Sequence, residues 1–428
     1  MTRISNLIDS LTQKLRFRRV RPTPLPQKRF LHTRLDTDLK CNLRCKMCFI
    51  PECLHGIAHK PFTIDHFRRI MDQLAPYTKQ LALSCIAEPL LSPTFFEALK
   101  ELDKSDIPFI YFITNGTLLT EEAIKKILDS RIDMMCVSLE GATQDTLGGI
   151  RLGANLDQIT NNLRMFIRMR NERGKTRPLL NISTVLMRSN IEEAPKIVKL
   201  AAELHADALL LRHLLSRSGR PEEESLWYHK ELANRCLEEA RRVTKEMNIP
   251  EVSIPPNFDL QTKPPSKAAR CGEVKNEVEI TLSGEVLHCG GITMESLGNL
   301  YRQTLREIWN GPEWRKLRDT STKNVPFQSC RLCPCVANND VDDPRTFFDS
   351  NEMGVGMLET ALPELNSGNP ARIRRKVEEL VDCYSKYVEL ADQYIPRSAA
   401  DMDKAALKWR DYCVRSLAQV ARNKPRNA

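Results

Sequence analysis

Three cysteines lie close together near the start of the chain, at Cys41, Cys45 and Cys48 in the segment CNLRCKMCF. Thiolates are soft ligands that suit iron-sulfur clusters, zinc or Cu(I). Three thiolates on a short loop can converge on one metal site, but they cannot complete a four-coordinate one. The spacing alone fits an open iron-sulfur site, a redox thiol group, or a zinc site with a fourth ligand from nearby residues such as His55 or His59.

A second group of cysteines lies far along the chain. Cys271 and Cys289 flank a predicted β-hairpin that turns at Ser283-Gly284, and the segment CRLCPC follows downstream. Two flanking thiolates and a CxxC pair can hold either zinc or a [4Fe-4S] cluster, and spacing does not choose between them. The cysteines of the downstream segment are Cys330, Cys333 and Cys335.

The elements that position the first group alternate between short apolar strands and helices. Six β/α units predict an α/β fold with a parallel sheet covered by helices. Chemistry in such sheets gathers on the loops after the strands, and the cysteine triplet follows the first strand. The predicted strands are Arg34 to Thr37, Leu81 to Ser84, Phe109 to Thr114, Met134 to Ser138, Leu180 to Leu186 and Ala208 to Arg212. The predicted helix N-caps are Thr63, Ser92, Thr120 and Asn190.

In this setting the triplet resembles the CxxxCxΦC motif of the radical S-adenosylmethionine (SAM) superfamily, with Met47 at the Φ position. The resemblance implies a partial (β/α)6 TIM-like barrel in which Cys41, Cys45 and Cys48 hold a [4Fe-4S] cluster. It further implies that SAM chelates the fourth iron and is reductively cleaved to a 5'-deoxyadenosyl radical, which abstracts hydrogen from a substrate.

Three further residues resemble SAM contacts of this superfamily. Glu88 and Pro89 match the end of its GGEP motif, although both glycines are replaced, and the match implies that Glu88 binds the SAM amino group. Ser138 in VSLEG and Arg151 in IRLGA resemble the residues that contact the SAM ribose and carboxylate. Each residue taken singly also fits an ordinary structural role, and the order of all three behind the cysteines favours the cofactor role.

The second cysteine group resembles the SPASM and twitch domains that follow many radical SAM cores. The pattern CX12GX4C, then GNL, EIWNG and CxxC implies an auxiliary [4Fe-4S] cluster in a small α+β domain. The cysteine count favours the twitch form, with one auxiliary cluster on Cys271, Cys289, Cys330 and Cys333. Cys335 is either a substitute ligand or a free thiol. The scattered cysteines are interpreted as buried packing residues, namely Cys53, Cys85, Cys136, Cys236, Cys383 and Cys413.

Composition narrows the class of protein. The chain has 428 residues, 41% of them hydrophobic, which is enough for two or more domains with apolar cores. The net charge of +9 is concentrated in residues 1–30, where eight Lys or Arg face only Asp9, so the remainder carries +2. Nucleic acid is therefore an unlikely partner. No apolar stretch approaches the roughly 20 residues of a membrane span and no signal peptide is evident, so we expect a cytoplasmic location.

The sequence predicts five segments. They are a basic amphipathic segment and linker at 1–33, the radical SAM core at 34–215, a helical and proline-rich connector at 216–270, the twitch/SPASM-like domain at 271–340 and a helical C-terminal extension at 341–428.

The expected reaction is a radical oxidation or epimerisation of a small sugar-like molecule, helped by one auxiliary cluster. The first alternative is a SPASM-type enzyme that modifies a peptide or protein. Either reaction needs a reducing electron donor such as flavodoxin or ferredoxin, and the sequence does not identify a catalytic base. An alternative from another class is a zinc-structured nucleic-acid-binding module.

Overall fold

The computed structural model describes residues 25–48, 62–84, 87–214, 224–258, 276–288 and 296–315. Several predictions lie outside these ranges. They are the amphipathic segment of the basic N-terminus, the five cysteines of the second group, and the helical extension from residue 341.

A ten-stranded sheet forms the centre of the described part of the chain. Its strands are β1 (Leu31–Leu35), β3 (Thr78–Leu83), β4 (Phe109–Thr114), β5 (Met134–Ser138), β7 (Leu179–Leu186), β8 (Ala208–His213), β9 (Glu251–Ser253), β10 (Glu277–Ile280), β11 (Glu285–His288) and β12 (Ser296–Asn299). Two short strands, β2 (Arg44–Cys45) and β6 (Arg151–Leu152), pair separately.

The strand order is β12-β11-β10-β1-β3-β4-β5-β7-β8-β9. Every neighbouring pair from β10 to β9 is parallel, which confirms the predicted parallel α/β architecture of the core. The first strand differs from its predicted bounds. Register with both neighbours ends at Leu35, so Asp36 and Thr37 begin the loop that leads to the cysteines.

The helices are α1 (Ile64–Leu74), α2 (Pro93–Leu102), α3 (Glu121–Asp129), α4 (Gln144–Ile150), α5 (Leu156–Glu172), α6 (Ala194–Glu203), α7 (Lys230–Glu246) and α8 (Leu305–Trp309). Thr63 and Thr120 cap α1 and α3 with their side chains, as predicted. Ser92 and Asn190 make no side-chain cap. Their side chains bond elsewhere, since the Ser92 hydroxyl donates to the Thr37 carbonyl at 3.0 Å.

The main core lies between the helices and one face of the sheet. Strand residues such as Ile110, Met135 and Leu180 pack there with helix residues such as Phe67 and Leu163. Because side chains alternate along a strand, the residues between them lie on the opposite face. We call this opposite side the inner face; it includes Tyr111, Cys136, Asn181, Ser183 and Arg212.

The β10-β11 hairpin extends the core sheet across the predicted boundary at residue 271. β10 pairs in parallel with β1, and the hairpin turns at Ser283-Gly284 as predicted. Gly284 has φ +81°, and a Cβ there would lie 2.8 Å from the Tyr301 ring, so the turn requires glycine.

Helix α1 holds the region after the hairpin against the core. The Gln73 side-chain amide donates to the Leu300 carbonyl at 3.0 Å and accepts from the Leu305 amide at 3.0 Å. Helix α8 ends at Trp309, and a new helical turn begins at Pro312. Proline has no amide hydrogen to continue a helix.

No helix in the described ranges is long and apolar enough to cross a bilayer.

Candidate functional site

The cysteine loop, residues 36–48, is ordered largely by its own backbone. The Asp38 carboxylate accepts from the amides of Leu39 at 2.7 Å and Lys40 at 3.1 Å. The Arg44 guanidinium donates to the carbonyls of Cys41 and Leu43, each at 2.8 Å. These bonds fix the path of the loop between the first two cysteines.

The three cysteines of this loop form no disulfide within the described ranges, and each is partly exposed. Burial raises the pKa of the Cys41 thiol and raises the pKa of Cys45 to about 12. Cys41 and Cys48 both act electrostatically on Cys45, so the thiols are neighbours. Within the described ranges no three Cys, His, Asp or Glu side chains already stand at metal-binding spacing. The donor set nevertheless fits an iron-sulfur cluster, whose binding releases the thiol protons.

The strand pair β2-β6 places Arg151 beside the second cysteine. Cys45 pairs with Arg151 in antiparallel register, and the Lys46 amide donates to the Ile150 carbonyl at 2.9 Å. Gly153 follows with φ +94° and packs close to Leu43 of the loop. A predicted SAM residue and a predicted cluster ligand, 106 positions apart in sequence, are thus joined through the backbone.

Arg151 forms a buried ion pair with Glu140, in which its Nε donates to Glu140 Oε2. Burial by itself lowers the pKa of Arg151, but the Glu140 carboxylate together with Cys45 and Cys41 holds this pKa above its ordinary value. The Asn190 side-chain amide donates to the Glu140 carbonyl at 2.9 Å and fixes the loop after β5. No sequence pattern predicted this role for Glu140, although the residue stands in the VSLEG segment.

Glu88 is buried and bonded to the loop after β4. Its Oε1 accepts from the Thr114 hydroxyl at 2.7 Å, and its Oε2 accepts from the Asn115 amide at 2.7 Å. Its own backbone amide donates to the Lys40 carbonyl at 2.9 Å, next to Cys41. Burial raises the pKa of this carboxyl, and the hydrogen bonds only partly offset the effect. Within the described ranges the carboxyl is therefore held by neutral donors and forms no ion pair.

An amide network, which was not predicted, joins the cysteine loop to the loop after β4. Asn115 Nδ2 donates to Asn42 Oδ1 at 2.8 Å, and Asn42 Nδ2 donates to the Thr117 hydroxyl at 2.9 Å. Thr117 in turn donates its backbone amide to Asn115 Oδ1 at 2.9 Å. Asn42 is separated from Thr117 by 75 positions. The only sequence signal is an Asn directly after the first cysteine, which has no distinctive spacing.

Met47 is buried in a small apolar cluster next to the loop. Its partners are Ile150, Met187 and Leu214, and Cys45 packs against the same cluster. The Φ position of the motif therefore contacts residues that follow β7 and β8.

Ser138 lies at the end of β5, where its backbone partner is Ser183. Its side chain is half-buried on the inner face. The structure thus joins Glu88, Met47 and Arg151 to the loop.

Near the predicted auxiliary site, the structure describes the β10-β11 hairpin. His288 at the end of β11 is fully buried, and the next residue is Cys289, outside the described ranges. The predicted ligands of the auxiliary cluster all lie outside these ranges.

Comparison with known families identifies the class. Residues 39–201 match the model of the radical SAM superfamily. Residues 271–334 match the model of the SPASM iron-sulfur cluster-binding domain. The chain is a radical SAM enzyme with a C-terminal SPASM domain, a class that uses a [4Fe-4S] cluster, SAM and auxiliary iron-sulfur binding.

Several characterised proteins are similar over most of their length. The tungsten-containing aldehyde ferredoxin oxidoreductase cofactor-modifying protein of Pyrococcus furiosus is 24% identical over 72% of this chain and 90% of its own. The AdoMet-dependent heme synthase of Methanosarcina barkeri is 24% identical over 65% and 82%. The PqqA peptide cyclase of Bradyrhizobium diazoefficiens is 23% identical over 71% and 81%.

Solved structures share the fold. Streptococcus suis SuiB bound to the precursor peptide SuiA matches with a TM-score of 0.54 and 17% identity, over 71% of this chain and 70% of SuiB. The enzyme anSMEcpe with bound AdoMet matches with a TM-score of 0.53 and 16% identity, over 75% and 94%. Both confirm the partial-barrel architecture predicted from the sequence.

Proposed function

We propose that Cys41, Cys45 and Cys48 hold the catalytic [4Fe-4S] cluster, and that the chain reductively cleaves SAM there to start a radical reaction on a bound substrate. One observation carries this proposal. Separate parts of the barrel converge on the cysteine loop, since β6 pairs with Cys45 and the loops after β3 and β4 bond to Lys40 and Asn42.

The chain's own residues hold and orient the cofactor. Glu88 accepts hydrogen bonds from the SAM ammonium while Thr114 and Asn115 fix its carboxyl. Arg151 offers its remaining guanidinium N–H groups to the SAM carboxylate while Glu140 holds its Nε. Met47 supplies an apolar wall, and Ser138 offers its hydroxyl to the ribose. When bound, cluster and SAM together supply the hydrogen-abstracting radical, and the barrel aims it and excludes water.

The auxiliary site takes one [4Fe-4S] cluster on Cys271, Cys289, Cys330 and Cys333, with Cys335 as a substitute ligand. The hairpin between the first two of these cysteines is hydrogen-bonded to β1, whose following loop carries the first cluster. These cysteines would hold a cluster that supplies electron-transfer chemistry, and flavodoxin or ferredoxin is the proposed reductant for the first site.

The substrate class we favour is a peptide, with a small molecule second. Support comes from the PqqA peptide cyclases, one of which aligns with 80% of this chain and 94% of its own. The names of these relatives lend no support to oxidation or epimerisation of a sugar-like molecule. Two other relatives are named as a heme synthase and a cofactor-modifying protein, and these names support a small molecule as the second candidate substrate.

Anaerobic purification with iron, sulfide and zinc analysis tests the metal assignment. Two [4Fe-4S] clusters predict a brown protein with about eight irons per chain. A zinc-structured nucleic-acid-binding module would instead be colourless, with stoichiometric zinc. The Cys41→Ala/Cys45→Ala/Cys48→Ala variant is expected to keep roughly half the iron and to form no 5'-deoxyadenosine from SAM.

The matched control replaces Cys236 of α7, which is remote from CNLRCKMCF in sequence, with Ala. This control is expected to keep full iron content and SAM cleavage. Retained cleavage in the triple variant would overturn the assignment of the first site. A short precursor peptide encoded beside the gene would favour the peptide substrate, and sugar-biosynthesis genes would favour the other class.

A further inference from the structure

The ribbon formed by β2 and β6 has two different faces. Cys45 pairs with Arg151, and Arg44 pairs with Leu152. Paired residues lie on the same face and successive residues alternate, so Cys45 and Arg151 share one face while Arg44 and Leu152 share the other. Arg151 on the first face is buried beside the candidate cofactor site, whereas Arg44 and Leu152 are both exposed. We call the side of Arg44 and Leu152 the exposed ribbon face.

Leu152 places a large apolar side chain on this face, with 50% of its surface exposed. The other exposed large hydrophobic side chains of the described ranges are Leu91 and Tyr228. Leu91 also borders the cysteine loop, because its amide donates to the Glu88 carbonyl and the Glu88 amide donates to the Lys40 carbonyl. Single exposed apolar side chains are common on protein surfaces. Two beside the same loop, next to exposed charges, are typical of a surface that a partner covers.

The exposed charge of the cysteine loop is positive. Its basic residues Lys40, Arg44 and Lys46 are all exposed. Its acidic residues, Asp36 and Asp38, are buried. The Arg44 guanidinium donates to two carbonyls of the loop, so its cation is held at the surface. Among the described residues 36–48 three cations and no carboxylate are therefore exposed, and such a surface attracts a partner that carries negative charge.

The proposed function requires a partner at this loop. Reductive cleavage of SAM uses one electron, which a carrier must deliver to the site of Cys41, Cys45 and Cys48. The carrier is oxidised by one electron, the site is reduced by one electron, and no bond forms or breaks at the protein surface. A layer of protein packed on a ribbon lies about 10 Å from it, so a carrier on the exposed ribbon face would lie one layer from Cys45. Electron-transfer encounters also use small interfaces, so a few side chains are enough.

We propose that the exposed ribbon face, together with Lys40 and Lys46, is the docking surface for an acidic electron-carrier protein. Leu152 contacts the apolar centre of the carrier surface, and the three cations of the loop face its carboxylates. The docking surface rests on the proposed function and adds to it the place where the reductant binds.

The test is anaerobic calorimetric titration of the reconstituted full-length holoenzyme in the presence of SAM, with no reductant added. The probes are an oxidised flavodoxin and an oxidised ferredoxin, each of net negative charge, and the basic carrier cytochrome c is the charge control. The wild type is expected to bind at least one acidic carrier and to bind cytochrome c at least about tenfold more weakly. Raising NaCl from about 0.05 M to about 0.5 M should weaken binding of the acidic carrier about tenfold.

Two substitutions test the surface itself. Lys46→Glu reverses one charge, and Leu152→Gln replaces the apolar contact with a polar side chain of similar size. Each is expected to weaken binding of the acidic carrier about threefold to tenfold, and the double variant Lys46→Glu/Leu152→Gln about tenfold to a hundredfold. Lys46→Gln, which places no new charge beside the cysteines, should weaken it about twofold to threefold.

Both substituted side chains are exposed, so we expect the variants to fold and to keep the iron content of the wild type, which is measured on each sample. The matched control is Lys196→Glu, the same charge reversal at an exposed position of α6. This control is expected to bind the acidic carrier within about twofold of the wild type.

Three results would overturn the docking surface. They are equal carrier binding by the wild type and the double variant, an equal loss in Lys196→Glu, or no measurable binding of either acidic carrier to the wild type. Formation of 5'-deoxyadenosine with dithionite is measured separately, because this small reductant needs no docking surface. Absence of that product in the wild type would show that the proposed function fails, whatever the carrier titrations give.

Discussion

Two buried glutamates lie near the cysteine loop, Glu88 after β3 and Glu140 after β5. They differ in the charge of the groups that contact their carboxylates. Each is 1% exposed. Glu140 pairs with Arg151, whereas Glu88 is held by the Thr114 hydroxyl and the Asn115 amide. A carboxylate with a cationic neighbour is already neutralised, while one held by neutral donors keeps its capacity for an incoming cation. The comparison separates a carboxylate that positions an arginine from one that can bind the SAM ammonium.

Replacing Arg151 should have the largest effect on the protein, seen as a loss of stability. Arg151→Ala leaves Glu140 buried without its partner, and the expected loss is about 3–5 kcal/mol in the free energy of unfolding. Denaturant unfolding of the protein without SAM measures this loss. The double variant Glu140→Gln/Arg151→Met removes both charges and should recover more than half of it. A loss below about 1 kcal/mol for Arg151→Ala would contradict a structural role for the pair.

Neutralising the other glutamate should weaken SAM binding and leave stability nearly unchanged. Glu88→Gln retains one side-chain oxygen as an acceptor, so the free energy of unfolding should change by less than about 1.5 kcal/mol. SAM affinity should fall about tenfold or more, because a charge-assisted bond to the ammonium is lost. Equilibrium dialysis with labelled SAM measures the affinity. Unchanged SAM affinity in this variant would remove Glu88 from the SAM site.

The raised pKa of Glu88 predicts a pH dependence of SAM binding. Burial favours the protonated carboxyl and holds the pKa of Glu88 above its ordinary value. The neutral form cannot attract the ammonium, so SAM affinity should rise as pH increases through this raised pKa. The Glu88→Gln variant should show no rise over the same range. An identical pH profile in the wild type and Glu88→Gln would assign the dependence to another group.

Disrupting the amide network of Asn42, Asn115 and Thr117 should have the smallest effect. Asn42→Ala removes the bonds to Asn115 and Thr117, and the expected cost is about 1–2 kcal/mol of local loop stability. Iron should then be lost to a chelator roughly threefold to tenfold faster, since the loop opens more often. The control is Asn161→Ala on the exposed side of α5. Equal rates of iron loss in the two variants would show that the network does not hold the cluster loop.

Parts of the fold and of the candidate site could be predicted from the sequence because they depend on short stretches of the chain. The cysteine spacing lies within eight residues, and the parallel core follows from the periodicity of short segments. The strand bounds of β4 and β5 agree with the prediction to the residue. The start of β1 was displaced by three residues, because pairing on both sides, and not the apolar pattern alone, decides where that strand begins.

Contacts between distant segments were decided by tertiary structure. The pairing of Cys45 with Arg151, the Glu140 partner of that arginine and the Asn42 network join residues that share no pattern in the chain. The attachment of β10 to β1 likewise spans more than 240 residues. The sequence determined which ligands and carboxylates are present and on which loops they lie. Only packing of the sheet determined which carboxylate pairs with an arginine and which is held by neutral donors, because that choice depends on neighbours brought together by folding.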